Sequence, residues 1–260
     1  MNFLVTNDDG IDFIGLQVLR DKLSSLGNVY TFAPTKERSG TSSAITIFDD
    51  VHVKKVNNYD FIVDGFPVDC VNIGLNGNLV DIKFDYIISG INKGVNMGQD
   101  VYYSGTVGAA RHGFIHGYKS IAISCGNLDE YGDYSQVASF LHDFIYFTEK
   151  NRSLFSNKFL FNINFPTENK IPDQVKFTLL GNRIYGDQYA KKDIGKNEYY
   201  LNLGGSILGY KEEAGTDFEA YGNNKISVTP LAEHATSFTK LKQYQNQFKQ
   251  QQLSGFSFHT

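Results

Sequence analysis

An α/β fold with a mostly parallel sheet in three layers is what this sequence predicts, and three observations predict it. Strand-like and helix-like segments alternate from residue 3 to residue 165. The strand segment at 86–89 lacks polar alternation, as a strand covered on both faces does. Polar loops rich in glycine follow the strands, at the edge where open α/β sheets bind ligands.

Phe3 to Thr6 is a short apolar strand running into Asn7, Asp8, Asp9 and Gly10. Residues 15–26 put Leu16, Leu19 and Leu23 on one helical face, and Gly27 supplies the stop. Val29 to Ala33 is a strand ended by Pro34, with a polar loop from Thr35 to Ser43. Strands are expected at 51–56 and 60–63, and Pro67 suits the first turn of a helix reaching Leu75. After the strand Tyr86–Ser89 comes a long loop from Gly90 to Gly105. A helix from Val107 to His116, a strand at Ser120–Ser124, a helix at Ser135–Phe147 and a strand at Phe159–Phe165 complete the alternation. Beyond about residue 170 the pieces are short and β-like: 176–179, 198–203 and 226–228. From Glu233 to Gln251 the chain is polar, with Phe238, Leu241, Tyr244 and Phe248 at helix-like spacing, a stripe suited to docking on the body or on a partner subunit. The expectation is one domain over 1–260, with a core to about 170, a β-rich extension over about 171–231 and a carboxyl-terminal helical arm over about 232–260.

Composition excludes several classes. With 41% hydrophobic and 20% charged residues the chain is an ordinary globular one. Its net charge of -4 gives no footprint for a nucleic acid duplex. No apolar run nears the roughly 20 residues that span a bilayer, so no membrane partner is expected. The chain opens on a strand carrying Asp8 and Asp9, not on a signal peptide, and has two cysteines, Cys70 and Cys125, in apolar segments. A cytoplasmic location is therefore expected, and a cysteine zinc site is excluded by the count.

Four polar loops carry the chemistry. The first holds Asp8 and Asp9, adjacent carboxylates that repel unless a hard cation with oxygen ligands sits between them; the plain alternative is a solvated turn. The second, 33–40, offers the Ser39 hydroxyl beside Lys36 and Arg38. The third, 89–98, presents Asn92 and Asn96 among glycines, and the fourth, 103–108, leads Ser104, Gly105 and Thr106 into a helix. Hydroxyls and free N–H groups at a helix start make a phosphate cradle, although a Ser or Thr there is also an ordinary N-cap. A cation facing such a cradle points to a phosphate ester. His112 and His116, four apart, lack a third ligand and read as structural; Lys36, Glu37, Arg38 and Lys93 read as solvated charges. Asp69, Cys70 and Tyr103 read as structural, with a place for Tyr103 at the border of the pocket left open, and Asp100 reads as part of a loop network rather than a ligand.

Competing functions lack their motifs. The first turn is N-D-D-G, not the G-x-G-x-x-G of a dinucleotide-dependent oxidoreductase, and no P-loop string occurs. A haloacid-dehalogenase-type phosphatase has aspartates two apart rather than adjacent. A non-catalytic nucleotide- or phosphate-binding module needs much the same donors and stays open.

The runs LVTNDDG at 4–10, RSGTSSAIT at 38–46, PVDCVNIGL at 67–75 and ISGINKGVNMGQDVYYSGTVGAA at 88–110 form a signature, with weaker matches at NINFP (162–166), GNRIY (181–185), GTD (215–217) and VTPL (228–231). With these residues the chain resembles the SurE family of survival-protein nucleotidases. That resemblance implies a Rossmann-like core with a carboxyl-terminal extension and a homodimer or homotetramer. It implies one divalent metal (Mg²⁺, Mn²⁺ or Ca²⁺) on Asp8, Asp9, Ser39 and Asn92, and a phosphate pocket of Asn96, Ser104, Gly105 and Thr106. The implied activity is hydrolysis of nucleoside monophosphates, 5′ and with 3′ and polyphosphate activity left open. Asp8, Asp9, Asn96, Ser104 and Thr106 are the catalytic candidates, with the last three holding phosphoryl oxygens and either a water or Asp8 as nucleophile. The chain departs from the family at Gly65-Phe66-Pro67-Val68-Asp69, where GTPAD is usual, and at Arg111 and His112, where an acidic residue is usual.

Overall fold

The computed structural model describes residues 1–126, 132–155, 157–166, 172, 174–205, 209–248, 252–253 and 256–257. In chain order the core runs β1 (Asn2–Thr6), α1 (Ile14–Leu23), β2 (Asn28–Pro34), β3 (Val53–Lys55), β4 (Asp60–Val63), α2 (Pro67–Asn76) and β5 (Tyr86–Lys93). A 3-10 turn (Gly98–Tyr102) follows, then α3 (Gly105–Ile115), β6 (Lys119–Cys125), α4 (Ser135–Lys150) and β7 (Phe159–Phe165). The extension holds β8 (Val175–Phe177), β9 (Arg183–Ile184), β10 (Asp187–Gly195), β11 (Glu198–Gly205), β12 (Gly209–Tyr210), α5 (Asp217–Gly222) and β13 (Ile226–Pro230), and α6 (Phe238–Phe248) comes after it.

Phe3, Leu4 and Val5 are fully buried because β1 has neighbours on both edges and helices on both faces. The main sheet has the order β3-β4-β2-β1-β5-β6-β7-β13-β8. From β1 the chain winds outward through β2 and β4, then returns to lay β5, β6 and β7 on the other side. The six strands from β4 to β7 are parallel, which makes the gap between the carboxyl ends of β1 and β5 the topological switch point. The expected apolar stripe of α1, Leu16, Leu19 and Leu23, packs with Val137, Leu141 and Ile145 of α4 over one face. On the other face Cys70 and Val71 of α2 join Ala109 of α3 against Leu4, Phe32 and Ile87. Each such side chain taken from water stabilises the fold by roughly 1.5–3 kcal/mol.

The alternation of elements holds, with shifted boundaries. α1 stops at Leu23 and α3 starts two residues early, at Gly105. The expected loop over 90–105 is the largest correction: β5 continues to Lys93, and 98–102 form the 3-10 turn. β5 pairs with β6 through Ser89 and again at Asn92 and Lys93, with a register shift between. Gly90 sits in that shift at φ +137, where a Cβ would lie 2.2 Å from the Ile123 carbonyl oxygen, so glycine is a requirement of the strand rather than a sign of a loop.

The extension is less separate than expected. Its β13 joins the main sheet antiparallel to β7, and β8 pairs in parallel with β13. The expected strand at 198–203 is one arm of a longer hairpin, β10–β11, whose residues are exposed. Three residues of the α6 stripe are exposed as well (Phe238 60%, Leu241 44%, Tyr244 51%). The expected core boundary near 170 and the helix end at 249–251 lie outside the described residues. No helix among the described residues is long and apolar enough to cross a membrane.

Candidate active site

β1 and β5 deliver their following residues to the same rim. Asn7 closes the turn after β1: its amide donates to the Gly10 carbonyl at 2.8 Å and accepts from the Gly10 N–H at 3.2 Å. That turn sets Asp8 against the start of α3. The Thr106 hydroxyl donates to Asp8 Oδ1, and Asp8 is only 4% exposed. Gly105 allows the approach, since a Cβ there would lie 3.0 Å from both Asp8 Oδ2 and the Thr41 hydroxyl. Behind the carboxylate, the Arg38 N–H donates to the Asp8 carbonyl at 2.7 Å, which ties the second polar loop to the first.

Burial pushes the Asp8 carboxyl up from its usual range, against the downward pull of the bonds from Thr106. Asp9 is pushed up to about 7, by burial first and then by the charge of Asp8. Its Oδ2 is buried with no hydrogen-bond partner. Two raised carboxyls, one with an orphaned oxygen, describe a pair that protons or a cation must neutralise.

A cleft of about 690 Å³ opens on this rim, lined among others by Asp8, Ser39, Asn92, Asn96 and Ser104. Ser39 donates its hydroxyl hydrogen to Glu37 at 2.8 Å. The Asn92 amide donates to the carbonyls of Gly94 (2.8 Å) and Lys93 (3.3 Å), which leaves its own carbonyl oxygen as an acceptor without a donor. Ser104 is the N-cap of α3, accepting from the Val107 N–H at 3.1 Å. Asp9 lines a second cavity, of about 560 Å³, with Gly10, Phe13, Thr35 and Lys36. Thr106 differs from expectation. It is fully buried with its hydroxyl committed to Asp8, so its side chain holds the carboxylate rather than a phosphoryl oxygen.

Asn96 is held more firmly than its glycine-rich surroundings suggest. Asn164 Oδ1 accepts from its N–H at 2.8 Å, Asn162 and Asn164 both donate to its carbonyl (2.7 and 3.1 Å), and its own amide donates to Ser124 at 2.9 Å. Both β7 asparagines are fully buried, and their spacing of two puts them on one face of the strand. NINFP carries these two residues in sequence, where asparagines inside an apolar strand were the available signal. The far wall of the cleft was missed altogether: Arg183, Tyr185, Asp187 and Leu203 come from the extension. Tyr103, for which a place at the pocket border was the alternative to a structural role, lines the cleft and is 61% exposed. Asp100 does join a network, accepting from Arg183 and from the Tyr185 hydroxyl. The His112 and His116 rings lie 4.3 Å apart. Among the described residues no group of three or more His, Cys, Asp or Glu is arranged to hold a metal, so an ion on this rim has to use amide and hydroxyl oxygens as well.

Acid pair and capped helix start, meeting at the switch point of a parallel sheet, define an α/β protein of the phosphate-handling class. The family model described as "Survival protein SurE" matches residues 3–187, and the chain belongs to the SurE family. It is 46% identical over 248 residues to a protein of Leptospira biflexa named 5′-nucleotidase SurE, covering 94% of this chain and 98% of the relative. A relative from Wigglesworthia glossinidia brevipalpis, named 5′/3′-nucleotidase SurE, is 38% identical over 251 residues, covering 96% and 98%. The crystal structure of the SurE protein from Aquifex aeolicus superposes with a TM-score of 0.81 at 31% identity, covering 95% of this chain and 99% of that one.

Proposed function

We propose that this chain is a metal-dependent phosphomonoesterase that hydrolyses nucleoside monophosphates to nucleoside and phosphate. One observation carries the reading: the mutually repelling pair of buried Asp8 and half-buried Asp9 shares its rim with Ser39, Asn92, Asn96 and the amino terminus of α3. The names of the Leptospira and Wigglesworthia relatives supply the substrate class, with 3′-monophosphates included on the strength of the second.

The residues fit a hard divalent cation. Asp9 Oδ2 is an orphaned buried oxygen, Asn92 offers a carbonyl oxygen, and Ser39 has given its hydrogen to Glu37. Two charged and two neutral oxygen donors suit Mg²⁺, Mn²⁺ or Ca²⁺. When bound, such an ion polarises a phosphoryl oxygen and lowers the pKa of a water. The chain's own residues do the positioning. Thr106 holds Asp8 at its orientation, and the β7 asparagines hold Asn96 on the cleft wall. The Asn96 amide, the Ser104 hydroxyl and the first-turn N–H groups of α3 bind the non-bridging oxygens, where fixed dipoles favour the charge of the transition state. Phosphoryl transfer is governed mainly by such positioning and electrostatics, so no proton relay is required. Water is the proposed nucleophile; a phosphoaspartate trapped on Asp8 would overturn that step. A homodimer or homotetramer and a cytoplasmic location belong to the same reading, supported by the exposed Phe238 and Leu241 of α6 and by two buried cysteines outside any disulfide.

The test is phosphate release from a panel of nucleoside monophosphates and polyphosphate, with Mn²⁺ or Mg²⁺ and with chelator. Release needs the cation, and Asp8→Asn lowers kcat/KM at least about 10²-fold, the scale of a lost electrostatic group. Nucleotide binding without release would favour the non-catalytic module. Full activity under exhaustive chelation would refute the metal.

A further inference from the structure

The cleft is far larger than a phosphate needs. Its volume, about 690 Å³, lies within the roughly 300–1,000 Å³ that accommodates whole small-molecule ligands. Its lining combines the buried Asp8 and Ser104 with the exposed Tyr103, Tyr185 and Leu203. The Tyr103 and Tyr185 rings stand at 87° to each other with centroids 6.0 Å apart, edge to face. They are 61% and 38% exposed, so ring surface stays open to a ligand.

This aromatic wall is braced. The Tyr185 hydroxyl donates to Asp100 Oδ1 at 3.0 Å, and Arg183 donates to Asp100 Oδ2 through Nε at 3.0 Å and through Nη2. The Arg183 N–H donates to Gln99 at 2.6 Å, and its guanidinium lies 4.8 Å from the Phe218 ring centroid. Asp100 and Gln99 belong to the 3-10 turn that leads into Ser104, so one rigid joint ties the aromatic wall to the phosphate end. The joint also decides what the aromatic wall attracts. The Arg183 charge is already paired with Asp100 in a site where both side chains are mostly buried, so it is not free for a second phosphate. Beside Lys93 and Asp187, which also line the cleft, the tyrosines offer aromatic surface that suits a flat, uncharged ring.

We infer that Tyr103 and Tyr185, braced by the Asp100–Arg183 pair, form an aromatic corner that receives the nucleobase, one ring stacking on it and the other packing edge-on, and set the preference of this site for nucleotides over other phosphate esters. The inference rests on the proposed phosphomonoesterase reading and deepens it. Tyr103 is the neighbour of Ser104 in sequence, and the sugar spans from the ring wall to the phosphate cradle.

The experiment compares adenosine 5′-monophosphate with ribose 5-phosphate, which keeps the phosphate and sugar and lacks the base. The readout is the ratio of their kcat/KM values, together with the ratio of their dissociation constants by calorimetry in Asp8→Asn. In Tyr185→Ala and in Tyr103→Ala each ratio falls, by about tenfold for the ring that stacks on the base and by less for its edge-on partner. Tyr185→Phe, which keeps the ring and loses the bond to Asp100, retains most of the preference. General damage to the fold lowers both substrates together and leaves the ratio unchanged. Ratios within twofold of the unaltered protein in both alanine variants would overturn the corner. If neither ester is cleaved, the phosphomonoesterase reading fails on its own, while the binding ratio still decides the corner.

Discussion

The rim around Asp8 and the hairpin β10–β11 solve the same problem in opposite ways. At the rim, polar groups are committed to partners inside the chain: the Thr106 hydroxyl to Asp8, the Asn96 backbone to the β7 asparagines, the Asn96 amide to Ser124. The hairpin pairs its two strands with each other only, from Asp187↔Gly205 to Gly195↔Glu198, and Tyr189, Tyr200, Leu201 and Leu203 remain exposed. A two-stranded ribbon alone is marginal in water, so the stability of this one depends on what covers it. The rim holds Asp8 and Asn96 from within and leaves Asp9 Oδ2 without a partner, whereas the hairpin and α6 expose apolar surface among the described residues.

The sharpest break of that comparison is Asp9→Asn. Mn²⁺ binding by calorimetry should be lost, and the pH response of the metal-free protein should change. Burial and the charge of Asp8 push the Asp9 carboxyl up from its usual 3.8 to about 7, so the folded state binds its proton more tightly. That stabilisation is complete below 3.8 and is lost as pH rises through about 7, with Asp8 acting in the same direction. Thermal unfolding in chelator should therefore show a melting temperature that falls between pH 4 and 7. Asp9→Asn flattens the fall, and Mn²⁺ reverses it most strongly at high pH; an equal slope in the variant would reject the assignment.

Next in size is a pair of glycines. Gly105→Ala puts a Cβ 3.0 Å from Asp8 Oδ2, and such a displacement at a reacting centre can cost up to about 10²-fold in kcat/KM. Gly204→Ala in the hairpin meets nothing closer than 4.0 Å, and its rate should match the unaltered protein. Asn164→Leu strips the Asn96 N–H of its acceptor, with an expected loss of about 1–3 kcal/mol in denaturant unfolding and a lower kcat. The hairpin counterpart, Tyr200→Ser, should stay within about 0.5 kcal/mol when the chain is dilute enough to be monomeric. The smallest effect on the core is expected from truncation after Ala232, which removes α6 and one exposed ion pair, Lys158–Glu233. The melting temperature of the body should hold while light scattering reports a smaller assembly. An unchanged mass would free α6 from any role in association.

Much of this was legible in the chain. The leucine stripe of α1, the proline start of α2 and the apolar strands at 3–6 and 159–165 express local periodicity, and the fold honours them. Asp8, Ser39, Asn92, Asn96 and Ser104 could be brought to one rim on paper because loops after parallel strands share an edge. Thr106 could not be placed, because whether a hydroxyl faces a ligand or a carboxylate depends on how close α3 comes to β1. Gly90 misled, since a glycine demanded by a neighbouring strand looks the same in sequence as a glycine in a loop. The far wall was invisible for a related reason: Arg183 meets Asp100 across a separation of 83 residues.

The order of strands and helices, the acid pair at the end of the first strand and the cap before α3 were determined by sequence alone, because each depends on neighbours only a few residues away. The tertiary structure decided which side chains face the cleft and which hold them, that Asn162 and Asn164 grip Asn96, and that the extension closes one wall. Those outcomes depend on packing between segments distant in the chain, and no local pattern encodes such distances.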